Sequence, residues 1–153
     1  MNIGVIFAGG VGKRMNSRVK PKQFIDVYGK PIIIHTLELF ENHPEIDAIA
    51  VACLEDWIPY LQELLAKFNI KKVKKIVPGG ASGQESIYNG LKAAEEIAGG
   101  EKSIVLIHDG ARPFISERII NEGIKFAEIY GAAAPGVMPK DTIKVKNEKN
   151  FSV

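Results

Sequence analysis

Apolar residues fall along this chain in two alternating rhythms: short unbroken runs rich in β-branched residues, and longer stretches where they recur every three or four positions. The run IGVIFA (3–8) reads as a buried strand, followed by a glycine-rich turn and a basic loop. A helix is expected to begin at Pro31, suited to a first helical position after Gly29, with Ile34, Leu37 and Phe40 on one face. DAIAVACL (47–54) reads as a second strand. IPYLQELLAKF (58–68) reads as a helix whose Ile58, Leu61, Leu64, Leu65 and Phe68 share one face. Residues 73–77 form a short strand ending in the turn PGG. Residues 84–98 form a helix closed by Gly99 and Gly100, and SIVLI (103–107) is a further buried strand. Ser116 is placed to cap a helix running to Tyr130. AAAPGVM (132–138) can be read as a fifth strand, although Pro135 argues against it. The tail beyond Met138, PKDTIKVKNEKNFSV, alternates like an exposed strand through Ile143 and Val145.

Strand and helix alternate throughout, so the expected fold is α/β: a doubly wound, Rossmann-like, mostly parallel sheet with helices on both faces. Such sheets bind ligands at the carboxyl ends of their strands. One rim then gathers the turn after the first strand, the PGG turn after the third, and HDGARP (108–113) after the fourth.

Composition narrows the field without identifying a partner. A chain of 153 residues, 46% hydrophobic and 25% charged, is sized for one globular domain. Lys and Arg number 20 against 18 Asp and Glu, a net charge of +2. That balance gives no basis for a nucleic-acid or membrane surface. No apolar run approaches the ~18 residues a membrane span requires, and MNIGVIFAGG lacks the features of a signal peptide. Cys53 is the single cysteine, so no intrachain disulfide can form, and a cytoplasmic protein is expected.

Candidate chemistry sits in the turns. In FAGGVGKRM (7–15), Ala8, Gly9, Gly10 and Gly12 leave backbone N–H groups uncovered, so a phosphate chain can lie against them. Lys13 and Arg14 add positive charge beside those donors. The segment fits neither a dinucleotide fingerprint, whose third glycine is absent, nor a P-loop, because no Ser or Thr follows Gly12-Lys13. A tight strand-to-helix connection would give the same glycines. In KPKQF (20–24), Pro21 stiffens the chain before Lys22, whose ammonium is either one of a solvated charge run or a group held against phosphates. Asp109 stands at a strand end, where one carboxylate together with substrate phosphates can hold Mg²⁺; Asp-Gly is equally a common turn pair. His108 reads as packed or hydrogen-bonded. No zinc-like spacing and no Ser/His/Asp set can be assembled from His35, His43 and His108.

Taken in order, FAGGVGKRM, KPKQF, GKPIIIHTLELF, the GG…S turn at 79–86 and HDGARPFI resemble the cytidylyltransferases that activate polyol phosphates. The resemblance spans the whole chain and implies a fold of the nucleotidyltransferase type. It also implies transfer of CMP from CTP to ribitol 5-phosphate or 2-C-methyl-D-erythritol 4-phosphate, with Mg²⁺ and release of pyrophosphate. It assigns Ala8, Gly9, Gly10, Gly12 and Lys13 to the CTP phosphates, and Arg14 and Lys22 to the reacting phosphate. Gly80, Ala81 and Ser86 fall to the cytosine and ribose, Asp109 to the metal, and Ala111 and Arg112 to the stretch beside it. Thr142 falls in an extended arm that reaches the polyol phosphate of a neighbouring subunit, implying a homodimer.

The resemblance divides the chain into a nucleotide-binding domain, 1–138, and the start of a dimerisation and substrate arm, 139–153, inside which the sequence ends. Two residues depart from the pattern: Gly83 stands where an Arg is usual, and Ala81 replaces a more polar residue. FAGG, Asp56-Trp57 and RPFI (112–115) look more like the ribitol group. Two other readings remain: a nucleotide-binding piece without activity, and a nucleotidyltransferase acting on a sugar 1-phosphate with UTP or another base.

Overall fold

The computed structural model describes residues 1–10 and 20–140. Strands β1 (Asn2–Ala8), β4 (Ala48–Cys53), β5 (Val73–Pro78) and β6 (Ile104–Asp109) form a four-stranded sheet in the order β5-β4-β1-β6. Every pairing in it is parallel. A second, two-residue antiparallel pair, β2 (Asp26–Val27) and β3 (Lys30–Pro31), makes a small hairpin turned through Tyr28 and Gly29, both at positive φ. Helices α1 (Ile32–Asn42), α2 (Ile58–Lys67), α3 (Gly83–Ala98) and α4 (Glu117–Tyr130) complete the fold.

The alternating side chains of β1 and β4 explain why the sheet is covered on both sides. Ile6 and Ala8 of β1 and Ile49, Val51 and Cys53 of β4 face α1, α2 and α4, with Phe40, Leu37, Leu61 and Ile120 buried against them. Ile3, Val5 and Ala50 point the other way and meet Ala93 and Ala94 of α3. The run AIAVAC thus carries large residues on one face and small ones on the other, which lets α3 settle close to the strands. Gly90 marks that closeness: a Cβ there would lie 2.6 Å from Val5 Cγ1. Each fully buried Ile, Leu or Phe contributes about 1.5–3 kcal/mol, and they concentrate at the centre of the sheet.

Helix ends follow local chemistry. Ser82 caps α3 by accepting from Glu85 N, Ser116 caps α4 by accepting from Ile119 N, and Gly99 and Gly131 close the two helices in left-handed conformation. Pro31 differs from expectation by one position. It ends β3 and stands as the N-cap of α1, with ψ at 144°, because its carbonyl side is still extended.

Two sequence readings are corrected. Residues 132–138 are not a strand. Pro135 has no N–H to give a ladder, and the segment lies exposed beyond Gly131. The strand read at 103–107 as buried is instead a sheet edge among the described residues, half-buried along its length and with Ile107 47% exposed. Its outer side, the following segment and α4 border a groove of about 1030 Å³ lined by Leu106, Ile119, Gly123 and Ala134. The alternation of Ile143 and Val145 lies outside the described residues. No helix among the described residues is long and apolar enough to cross a membrane.

The packing at Gly90 yields a test. Alanine has the higher helix propensity, yet Gly90→Ala should lower stability by about 1–3 kcal/mol in urea unfolding, because the β-branched Val5 cannot yield in a central strand. An unchanged or raised midpoint would show that α3 shifts freely on the sheet.

Candidate functional site

Three turns meet at the carboxyl rim of the sheet, and they touch through backbone. After β1 the chain continues as Gly9 and Gly10; after β5 it turns through Gly79 and Gly80. A Cβ on Gly79 would fall 2.8 Å from Gly9 Cα, and one on Gly9 would fall 2.5 Å from Ser86 Oγ. Only glycine allows this approach. Gly79 N donates to Cys53 O at 2.6 Å, fastening the second turn to the end of β4. Glycine-rich turns usually owe their glycines to dihedral freedom, but here close contact is the reason.

Ser86, assigned to the nucleotide, is buried, and its hydroxyl has structural duties. It accepts from Gly80 N at 3.0 Å and donates to Ser82 O at 2.9 Å. Ala81 N donates to Glu85 Oε2 at 2.8 Å, and Glu85 itself packs over Gly80. A side chain at Gly83 would meet nothing within 4 Å, so the position opens to solvent at the first residue of α3.

The third turn follows β6. Gly110 N donates to Phe7 O at 3.0 Å, and Gly110 O accepts from the buried hydroxyl of Thr36 on α1 at 3.0 Å. Asp109 Oδ1 accepts from Ala111 N at 2.9 Å. Its Oδ2 faces two cations, Arg112 Nε at 3.5 Å and Lys22 Nζ at 3.8 Å. Neither is within tight hydrogen-bonding distance, so Oδ2 makes only long ion pairs. His108 is packed as expected: Nε2 lies 2.9 Å from Arg112 O and the ring 5.5 Å from Phe40.

Lys22 is brought to this place by the segment around it. Residues Lys22–Phe24 form one turn of 3₁₀ helix that buries Gln23 and Phe24. Phe24 stacks on Trp57 with centroids 4.8 Å apart and meets Tyr60 at 5.6 Å. Lys20 lies over the Tyr60 ring at 5.4 Å and 3.5 Å from Asp26, so the first lysine of KPKQF braces the loop while the second projects to Asp109. Sequence reasoning passed over Gln23, Thr36 and the Trp57–Tyr60 pair. A single polar residue beside a phenylalanine has no periodicity to betray it, and Thr36 meets Gly110 only through the fold.

Of the residues assigned from sequence, Ala8, Gly9, Gly10, Lys22, Gly80, Ala81, Ser86, Asp109, Ala111 and Arg112 lie on or directly beneath this rim. Gly12, Lys13, Arg14 and Thr142 lie outside the described residues. Among the described residues no three His, Cys, Asp or Glu side chains converge as metal ligands. A single carboxylate whose second oxygen makes only long ion pairs is nevertheless compatible with magnesium, which is commonly bound through one protein carboxylate plus phosphates.

Fold and rim define an α/β domain with a parallel sheet flanked by helices and its turns gathered at the carboxyl ends of the strands. Residues 3–153 match the family described as IspD: 2-C-methyl-D-erythritol 4-phosphate cytidylyltransferase, and the chain belongs to that family. The ribitol-5-phosphate cytidylyltransferase of Streptococcus agalactiae serotype III (strain NEM316) is 51% identical over 150 residues, 98% of this chain and 62% of the relative. The 2-C-methyl-D-erythritol 4-phosphate cytidylyltransferase of Clostridium botulinum (strain Loch Maree / Type A3) is 51% identical over 152 residues, 99% of this chain and 64% of the relative. The crystal structure of 4-diphosphocytidyl-2C-methyl-D-erythritolsynthase from Anaerococcus prevotii DSM 20548 superposes with a TM-score of 0.79 at 27% identity. That match covers 99% of this chain and 61% of the other. The chain spans less than two thirds of the length of each of these proteins.

Two tests follow from the packing of the rim. Gly9→Ala should destabilise the protein by about 1–3 kcal/mol, and the cost should shrink in a Ser86→Ala background, where the closest clashing atom is gone. Additive costs in a double-mutant cycle would mean that the two turns move apart independently. Cys53, at the end of β4, has its thiol pushed up to about 12 by burial, offset in part by a hydrogen bond with the Leu54 backbone. Against an ordinary value of 9.0, the stabilisation by this buried neutral thiol is complete below about pH 9 and lost as pH rises through about 12. The native protein should therefore resist thiol alkylation at neutral pH and react on unfolding; rapid native-state labelling would contradict the burial.

Proposed function

We propose that this domain binds CTP on its carboxyl rim and supplies half of a cytidylyltransferase site that moves CMP onto a polyol phosphate. The observation that carries the reading is the meeting of three groups: the glycine turn at Gly9 and Gly10, the ammonium of Lys22, and the carboxylate of Asp109, 3.8 Å from that ammonium. Membership of the family supports the same reaction. The two relatives at 51% identity carry different substrate names, so the acceptor is given as a class: ribitol 5-phosphate or 2-C-methyl-D-erythritol 4-phosphate.

The chemistry is positioning and electrostatics. A phosphate oxygen of the acceptor attacks the α-phosphorus of CTP, the bond to the bridging oxygen of the β-phosphate breaks, and pyrophosphate leaves with that electron pair. Backbone N–H groups of Gly9 and Gly10 receive the phosphates. Lys22, and Arg14 by resemblance, offset the charge that develops on the transferred group. Asp109 Oδ2 would hold Mg²⁺ together with phosphate oxygens, where the ion neutralises the triphosphate. No covalent intermediate is required. Gly80, Ala81 and Ser86 shape the turn beneath the base and ribose, and Ala111 and Arg112 border the metal-binding carboxylate.

We further assign residues 1–138 to the nucleotide-binding domain and 139–153 to the start of an arm. Through that arm a homodimer would form, with Thr142 reaching the neighbouring acceptor phosphate. A single buried cysteine is in keeping with a cytoplasmic enzyme.

Isothermal titration with CTP, UTP and ATP in the presence of Mg²⁺ tests the binding step, and CTP should bind best. A preference for UTP would move the protein to sugar-1-phosphate chemistry. With either polyol phosphate added, pyrophosphate release measures turnover. Binding without release would leave a nucleotide-binding piece lacking activity. Where turnover is found, Lys22→Ala should lower kcat by about 10²–10³ while changing CTP affinity far less. An unaltered kcat would remove Lys22 from the reaction.

A further inference from the structure

We propose that Gln23 is a positioning residue for the phosphate-binding turn, holding it in register with Lys22; the inference rests on the nucleotide-binding reading above. The side chain is 1% exposed, an unusual place for a carboxamide in a basic surface loop. Its Nε2 donates to Ala8 O at 2.6 Å and to Gly10 O at 3.2 Å, the two carbonyls that bracket Gly9. Its Oε1 is also buried and has no hydrogen-bond partner among the described residues. An unpaired buried acceptor costs stability, and a leucine of similar shape would avoid that cost. What a leucine lacks is the pair of donors.

Those donors control the direction of the turn. A trans peptide carries its N–H opposite to its carbonyl, so drawing Ala8 O inward points the N–H of Gly9 outward. Neither Gly9 nor Gly10 N–H takes part in a hydrogen bond among the described residues, so both remain available at the rim. The preceding residue in the same 3₁₀ turn is Lys22, and the following one is Phe24, fixed against Trp57. One short segment therefore sets two parts of the site at once. Phe24 anchors it, Gln23 orients the Gly9 amide and holds the Gly10 carbonyl, and Lys22 reaches Asp109. Gln23 itself is buried beneath the turn.

Three variants separate positioning from simple packing: Gln23→Leu, which keeps the shape without donors; Gln23→Asn, which keeps the amide on a shorter stem; and Gln23→Glu, which is isosteric. Thermal unfolding and CTP–Mg²⁺ titration are measured on each. Gln23→Leu removes the unpaired Oε1 but leaves the Ala8 and Gly10 carbonyls without this donor, so it should stay folded with an unfolding temperature at or modestly below wild type while losing CTP affinity by about tenfold or more. Gln23→Asn should fall between it and the wild type. The ionised Gln23→Glu side chain opposes two carbonyls. As the pH is lowered from about 8 to 5.5 it should recover affinity relative to wild type at each pH, because a protonated carboxyl can donate to one of them.

Wild-type affinity in Gln23→Leu would overturn the proposal. So would loss of affinity only in parallel with loss of fold, with no pH-dependent recovery in Gln23→Glu. If the wild type itself prefers another nucleotide, the series is run with that nucleotide: the cytidylyl reading then fails while the role of Gln23 is still decided. A wild type that binds none of the three nucleotides overturns both.

Discussion

The rim of this domain depends on one steric fact, that the backbone of Gly9 lies directly against that of Gly79. A side chain on either residue would separate the ends of β1 and β5 and with them the floor of the site. The sheet order makes the contact possible. β4 lies between β1 and β5, and the Gly79 N–H reaches over to Cys53 O, so the turn after β5 folds back across the end of the intervening strand. Ser86 fills the corner and satisfies Gly80 N. Its burial makes it the keystone of the turn as much as a candidate ligand residue.

Charge is arranged on this floor with little redundancy. Asp109 is held by a backbone amide through one oxygen, and the other is left facing Lys22 and Arg112 at distances too long for strong hydrogen bonds. In the proposed reaction that carboxylate would exchange its long contacts with cations for a metal and phosphates. Lys22 reaches it because the loop is pinned from beneath by an aromatic stack and from the side by the Gln23 carboxamide. The rigid parts are made of backbone and buried side chains, and the charged groups are attached to them.

The opposite side of the domain is less finished. β6 has an open edge among the described residues, Ile107 is half exposed, and α4 presents Phe126, Ile129 and Tyr130 to solvent. The curated relatives are longer proteins, and the substrate half of the proposed reaction is assigned to residues beyond the nucleotide rim. In the proposed reaction nucleotide and metal are assigned to Gly9, Gly10, Lys22 and Asp109, whereas the acceptor phosphate is assigned to Thr142 and the arm.

The sequence by itself determined the alternation of strands and helices, the caps at Ser116 and Gly99, the class of sheet, and the placing of three glycine-bearing turns on one rim. These follow from periodicity and local backbone chemistry, which neighbouring residues express without help. It misread 132–138 as a possible strand and 103–107 as buried, because edge and interior depend on which strand lies alongside. Only the tertiary structure decided that Gly9 and Gly79 are glycines for contact, that Thr36 ties α1 to Gly110, and that Gln23 spans 13 and 15 residues to the glycine turn. Such partners are remote in the chain and have no shared period, and a hydrogen bond between them exists only once the sheet has brought the two segments together.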